Sequence, residues 1–325
     1  MSHLPLPSPL VSLEWLADHL GDQRLVVVDA STSATNPVTG MPMGAHDAYL
    51  ITGHIPGAVY ADTADSFREP GAPFPPARPG LERLEQVLRA LGIDNTSTVV
   101  IYDSAFGQWA ARVWWILRAA GLDRVALLNG GLSGWRQAGH PEERGDTEPR
   151  LAGELTLRER DGWWATTADV RRILDGAAGV SVEVAVNNDS EATLVCGLTA
   201  SDPGGAQPHH ETTLVCGLSG QAFAGNPGDP RSGHIPGSVN IPFESLLEVP
   251  SRHLLSGAAL DRYPAAIDPR RPVITYCEHG ILATGVAFAL RLRGHRDVAV
   301  YDGSLAAWRA NPLAPLTQLA ANLPH

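Results

Sequence analysis

Three cysteines and a complete absence of lysine set the covalent chemistry open to this chain of 325 residues. Without lysine there is no Schiff base, which removes the pyridoxal phosphate enzymes. Nor is there a Gly-Lys-Ser/Thr phosphate loop of the nucleotide hydrolases. The nucleophiles that remain are the thiols of Cys196, Cys216 and Cys277. Cys277 has the most informative surroundings. It follows the apolar run Val273-Ile274-Thr275-Tyr276 and precedes Glu278-His279-Gly280-Ile281-Leu282-Ala283, a strand running straight into a helix with the thiol at the junction. Backbone amides of such a junction converge above the sulfur and the helix N-terminus adds positive potential, so a thiolate is favoured and a bound anion is cradled. The carboxyl end of a strand in an open α/β sheet is also where ligands bind. Read locally, the same cysteine is equally a buried structural thiol, because cysteine is among the most buried residue types.

The elements that must hold this junction occur twice. Gly53-His54-Ile55-Pro56-Gly57-Ala58-Val59 returns as Gly233-His234-Ile235-Pro236-Gly237-Ser238-Val239. Val99-Val100-Ile101-Tyr102-Asp103 answers Val273 to Cys277, and Gly130-Gly131-Leu132-Ser133-Gly134-Trp135 answers Gly303-Ser304-Leu305-Ala306-Ala307-Trp308. The chain is a tandem duplication, and each copy is long enough to own a core. Within a copy, strands and helices alternate. Leu25 to Val28, Val99 to Tyr102 and Val273 to Tyr276 are short apolar runs suited to strands buried on both faces. Leu81, Leu84, Val87, Leu88 and Leu91 mark a helix over 80–91 ended by Gly92, and 110–120 and 283–292 are the matching helices after the next strands. The expected class is α/β, each copy a mainly parallel sheet flanked by helices.

The expected domains are 1–141, with Asp103 at the cysteine position and therefore no thiol chemistry, and 163–325, which carries Cys277. Residues 142–162, rich in Glu, Arg, Gly and Pro, read as the linker. The second copy is lengthened by an insertion around 180–212 that contains an echo, Glu191 to Thr199 returning as Glu211 to Ser219. Leu214 to Leu218 is expected to be the sheet strand, and the remainder, with Pro203-Gly204-Gly205 and Pro208, a surface excursion.

Charge narrows the partners. The 24 basic residues, all arginine, against 35 acidic ones leave a formal net charge of −11, which repels phosphate backbones and argues against nucleic acid. No apolar run approaches the roughly 18 residues of a membrane helix, and the first residues lack the positive start of a signal peptide. No membrane partner and a cytoplasmic location with reduced thiols are the expectation. Cys196 and Cys216 with His209 and His210 match no metal-ligand spacing, and the echo accounts for both cysteines, so no metal is expected. His54 and His234 occur in both copies, which points to a role in fixing the repeated turn. Trp114, Trp115, Trp135 and Trp308 read as core or interface residues.

Together, the doubled Gly-His-Ile-Pro-Gly motif, the Val-Ile-Tyr-Asp strand, the Arg112-Val113-Trp114-Trp115 helix and Tyr301-Asp302-Gly303-Ser304 with Trp308 resemble the tandem-domain rhodanese family of thiosulfate and 3-mercaptopyruvate sulfurtransferases. The resemblance spans Ser8 to Pro315 and implies two homologous rhodanese-like domains, the first inactive and the second catalytic. It implies that the Cys277 thiolate takes a sulfane sulfur from a small anionic donor, becomes a persulfide, and passes the sulfur to a thiol or cyanide-like acceptor, with no cofactor. An acceptor protein is left open. By the same resemblance, Glu278, His279, Gly280, Ile281 and Leu282 form the loop that binds the donor and stabilises the persulfide. Asp62 corresponds to a region that faces the active site in mercaptopyruvate-type relatives.

This sequence also departs from that pattern. Thiosulfate-type members follow the cysteine with Arg-Lys-Gly and mercaptopyruvate-type members with Gly-Ser-Gly, whereas this chain has Glu278-His279-Gly280. A carboxylate at Glu278 opposes a thiolate if it points inward, so it is expected to face solvent. His279 either donates a hydrogen bond to substrate or is an ordinary exposed histidine. Leu218 and Ala222 fall where the family places donor-binding arginines, and Arg231, Arg252, His234 or His279 are the available substitutes. A second reading is therefore a degenerate pair used as a non-catalytic protein-interaction or sulfur-binding module. Phosphatase chemistry on this scaffold needs an arginine where Ala283 stands and is set aside.

Overall fold

The computed structural model describes residues 3–35, 41–74, 76–176, 181–186, 194–199, 212–249, 251–255, 260 and 267–319. The chain divides into two units, Met1–Asp161 with Leu247–Leu254, and Gly162–Leu246 with Leu255–His325.

In the first unit the described elements are β1 (Leu10–Val11), α1 (Leu13–His19), β2 (Leu25–Asp29), β3 (Ser33–Thr35), β4 (Pro42–Gly44), α2 (Ala45–Thr52) and β5 (Ala58–Tyr60). They are followed by α3 (Leu81–Ala90), β6 (Thr98–Tyr102), α4 (Gln108–Ala119), β7 (Val125–Leu128) and α5 (Gly131–Gln137). The sheet order is β1-β7-β6-β2-β5, every pairing parallel, and β3 and β4 form a separate antiparallel ribbon. All five residues of β6 are buried, as a strand covered on both faces requires. Helix α3 turns Leu84 and Leu88 inward and leaves its charged residues outside. The core gathers Leu16, Val27, Val100, Tyr102, Ala126, Leu132 and Trp135.

The second unit repeats the plan. Its described elements are β8 (Trp164–Ala165), α6 (Thr167–Gly176), β9 (Ser181–Val186), β10 (Leu194–Thr199), β11 (Thr213–Cys216), α7 (Gly220–Ala224) and β12 (Val239–Asn240). A 3-10 turn (Phe243–Leu246), β13 (Val273–Tyr276), α8 (Ile281–Leu292), β14 (Val298–Tyr301) and α9 (Ser304–Arg309) complete it. The parallel order β8-β14-β13-β11-β12 reproduces that of the first unit, with β10 and β9 added antiparallel beyond β12. Thr213–Cys216 is thus the central strand of the pair of echoes. The other echo is a correction to the expected surface excursion: Leu194–Thr199 is a strand, paired to Val239 on one side and to Ser181–Val186 on the other. The open edge of a two-residue strand offers unpaired backbone groups, and the inserted hairpin covers them. Pro203 to Pro208 lie outside the described residues.

The repeated heptad is fastened to the strand that leads into the loop of interest. The Ile235 amide donates to the Tyr276 hydroxyl at 3.0 Å, which donates to Ser238 Oγ at 2.7 Å; in the first unit the Ile55 amide donates to the Tyr102 hydroxyl at 3.2 Å. His234 stacks on Phe223 with Nδ1 2.8 Å from its carbonyl, and His54 stacks on Tyr49 with Nδ1 3.0 Å from its carbonyl. Both histidines are wholly buried and hold their turns. Trp114, Trp115, Trp135 and Trp308 are core residues.

Candidate functional site

The loop after β6 in the first unit shows what this scaffold does with its amides. Asp103 Oδ1 accepts from the amides of Ala105 and Gly107, both at 2.9 Å, and Oδ2 from those of Trp109 and Ala110, both at 3.0 Å. A buried carboxylate therefore sits in a cradle of four donors at the N-terminus of α4, the anion-binding geometry of a helix start. Burial pushes the Asp103 carboxyl up and the four amides pull it down, with burial the larger effect.

Cys277 occupies the matching place in the second unit, buried and outside any disulfide, between β13 and α8. Both helices start from a left-handed glycine, Gly107 at φ 87° and Gly280 at φ 76°, a conformation that glycine adopts without strain. The second loop is one residue shorter, Gly280 following Cys277 by three positions where Gly107 follows Asp103 by four. Aligning the two helix starts puts the amides of Gly280, Leu282 and Ala283 in the places of Gly107, Trp109 and Ala110. The loop is anchored from the other side by α9. The Cys277 amide donates to Ser304 Oγ at 3.2 Å, Ser304 Oγ donates to the Tyr301 carbonyl at 2.8 Å, and the Leu305 and Ala306 amides donate to the carbonyls of Cys277 and Glu278. Ser304 adopts φ 47°, which costs a non-glycine residue about 1–2 kcal/mol. At its counterpart Gly131, φ 53°, an added Cβ would lie 2.7 Å from the Asp103 carbonyl oxygen, so the backbone there would have to shift to carry a side chain.

The structure distributes the other candidates unevenly. The Glu278 side chain stays partly exposed, and its Oε1 receives a hydrogen bond from Arg309 Nη1, also partly exposed, at 2.6 Å. The Glu278 carbonyl accepts from the Ala306 amide of α9, the helix that also carries Arg309. His279 is exposed, Gly280 is buried, and Ile281 and Leu282 are half-buried in the first turn of α8. Leu218 is half-buried, its carbonyl held by Asn240 Nδ2 at 2.7 Å, and Ala222 is exposed. Arg231 donates to the carbonyls of Arg309, Asn311, Pro312 and Ala314 and so braces the chain after α9. Arg252 belongs to the first unit, where it donates to the carbonyls of Ser104 and Ala105 and covers the Phe106 ring. Asp62 also belongs to the first unit, exposed, with Oδ1 capping the Asp65 amide at 3.1 Å. Cys216 takes the place of Asp29 beside the tyrosine hydroxyl, and burial pushes its thiol up to about 12. His209, His210 and the side chain of Cys196 lie outside what is described. Among the described residues no cluster of three or more His, Cys, Asp or Glu could hold a metal, and no helix is long and apolar enough to cross a membrane. Sequence reasoning missed Ser304 and Arg309 as parts of the site; the replacement of Gly131 by Ser304 between the copies was the available signal.

Comparison with known proteins places this arrangement in a class. The sequence pattern of the Rhodanese-like domain matches residues 12–138 and 226–311. Human 3-mercaptopyruvate sulfurtransferase is 31% identical over 93% of this chain and 93% of its own length. Thiosulfate/3-mercaptopyruvate sulfurtransferase 1, mitochondrial, of Arabidopsis thaliana is 29% identical over 99% of this chain and 81% of its own. Among solved structures, SseA from Escherichia coli superposes with a TM-score of 0.71 at 25% identity, covering 91% of this chain and 98% of that one. The chain belongs to the rhodanese family. By class it is an enzyme, a sulfurtransferase, as these curated relatives are.

Proposed function

We propose that this protein moves a sulfane sulfur from a small anionic donor, 3-mercaptopyruvate or thiosulfate, to a thiol or cyanide-like acceptor through a persulfide on Cys277. The observation that carries the reading is the Asp103 cradle: one copy of the scaffold gathers four amides around a buried negative charge, and the other copy puts a sulfur where that charge sits. The relatives' names supply the donors.

In this scheme the Cys277 thiolate attacks the outer sulfur of thiosulfate, the S–S bond breaks, and sulfite leaves with the electron pair. With 3-mercaptopyruvate the attacked sulfur leaves carbon, the electron pair stays as the enolate of pyruvate, and a proton from solvent completes the product. The acceptor then attacks the outer persulfide sulfur and the Cys277 thiolate returns. The amides of Gly280, Leu282 and Ala283, at the N-terminus of α8, stabilise the negative charge on thiolate and persulfide; no cofactor takes part. Residues 278–282 form the mouth at which the donor binds. Asp62, in the first unit, caps the Asp65 amide and is given no step in the scheme.

Incubation with each donor followed by intact-mass measurement should add one sulfur atom to the wild type and none to Cys277→Ser. Equal uptake by the variant overturns the assignment of Cys277. No uptake by either protein from either donor favours the non-catalytic reading.

A further inference from the structure

We propose that Arg309 is a positioning residue for the sulfur chemistry: its guanidinium holds and neutralises the Glu278 carboxylate, so that the Cys277 thiolate forms beside a paired charge instead of a bare one. The proposal rests on the reading of Cys277 as the sulfur carrier.

A glutamate directly after the reactive cysteine is an electrostatic liability, because a second negative charge on the adjoining residue disfavours thiolate and repels an anionic donor. The structure removes that liability with one contact. Glu278 Oε1 and Arg309 Nη1 are 2.6 Å apart, short for a charge-assisted hydrogen bond, with side-chain exposures of 37% and 26%. The pair is held by more than its own attraction. Leu305 and Ala306 at the start of α9 donate to the carbonyls of Cys277 and Glu278, so the helix that carries Arg309 is docked on the backbone that carries the thiol. The first copy shows that this is a particular use of the arginine. Its counterpart Arg136 is bonded to Glu142 and to the carbonyls of Thr52 and Gly53, and the residue at the place of Glu278 is the uncharged Ser104. Carboxylate and redirected arginine occur together, in the copy with the cysteine.

Among the described residues, the other titratable or charged groups on the elements around the loop are Cys216, Tyr276, His279, Tyr301 and Asp302, with Glu244 on the 3-10 turn against α8 and Arg231 on the carbonyl of Arg309; the first two turns of α8 carry none. Burial pushes Cys216, Tyr276 and Tyr301 up and keeps them uncharged near neutrality. His279 and Asp302 are unchanged by the substitutions below.

The test reads the thiol directly, as the rate of Cys277 alkylation by iodoacetamide against pH, located by peptide mass mapping on the full chain. Arg309→Gln should slow alkylation at pH 7 by about threefold to tenfold, as expected for one unpaired charge on the neighbouring residue. Glu278→Gln should do the reverse. The double variant should return to the wild-type rate and Arg309→Lys should stay near it; 1 M salt should shrink each shift. Unchanged rates in both single variants, or a slowed rate in Arg309→Gln that persists when Glu278→Gln is added, overturn the proposal. Intact-mass sulfur uptake is measured alongside: a thiol that obeys the charge cycle yet never gains sulfur defeats the sulfurtransferase reading of Cys277 and leaves the clamp standing.

Discussion

One position is occupied by Asp103 in one copy and by Cys277 in the other, so that a carboxylate in the first unit matches a thiol in the second. At Asp103 four amides and a carboxylate satisfy one another, and the cradle is full. Asp103→Ala leaves those four donors without their acceptor, and the first unit should lose about 2–4 kcal/mol, read as a lower melting temperature. The thiols differ as sharply. Cys216 ends strand β11 with its thiol pushed up to about 12, while Cys277 lies in the loop between β13 and the start of α8. Iodoacetamide at pH 8 should label Cys277 in the native protein and reach Cys216 only after unfolding in urea; equal native labelling would show that the burial of Cys216 is not what silences it. The pH consequence has a definite sign. A thiol whose folded-state value is raised binds its proton more tightly folded than unfolded, so its contribution is complete below the ordinary thiol range and is lost as pH climbs toward 12.

At the scale of elements, the loop is held by what flanks it. Helix α9 anchors the carbonyl side through the Leu305 and Ala306 amides, and α8 begins at Gly280 on the other side. Helix α8 is in turn pressed on the 3-10 turn: a Cβ at Gly285 would come within 2.2 Å of the Phe243 ring. Glycine costs a helix interior up to about 1 kcal/mol, so its presence here reflects the close approach of the ring. Gly285→Ala should gain that propensity yet destabilise the second unit by about 1–3 kcal/mol through displacement of Phe243, and should lower Cys277 reactivity with it. A variant with unaltered melting temperature would mean the ring moves aside freely. The extra hairpin β9–β10 shows the limit of local reading. The two echoed segments are nearly the same sequence, yet Thr213–Cys216 lies between β12 and β13 with parallel neighbours and Leu194–Thr199 lies between β12 and the edge strand β9 with antiparallel ones. Nothing within either segment distinguishes those places; what precedes and follows it does.

For the whole molecule, the duplication makes each copy the control for the other, and residues 142–161 travel with the first. Gly153 and Arg150 reach Asp94, and the amides of Arg158 and Arg160 donate to the carbonyls of Ala120 and Ala119. Burial pushes the Asp94 carboxyl up, but bonds from Thr96, Gly153 and Arg150 more than offset it and hold the group well below the usual carboxylate range. A carboxyl depressed in the folded state contributes stability above its unfolded value and loses it as pH falls through the acid range. Asp94→Asn should therefore destabilise the first unit at neutral pH, by about 1–3 kcal/mol for the lost charge-assisted bonds, and flatten its acid unfolding below pH 4. Circular dichroism against pH checks both. By itself the sequence determined the duplication, the α/β class, the strand-to-helix placement of Cys277 and the contrast with Asp103, because repeat, period and junction are written in consecutive residues. Only the tertiary structure decided that Glu278 is paired, that Ser304 holds the Cys277 amide from a strained backbone, that Arg231 is spent on carbonyls, and that the inserted echo extends the sheet. Each of these depends on which groups distant in the chain meet in space, and hydrogen bonds and ion pairs are settled by that distance and not by the order of residues.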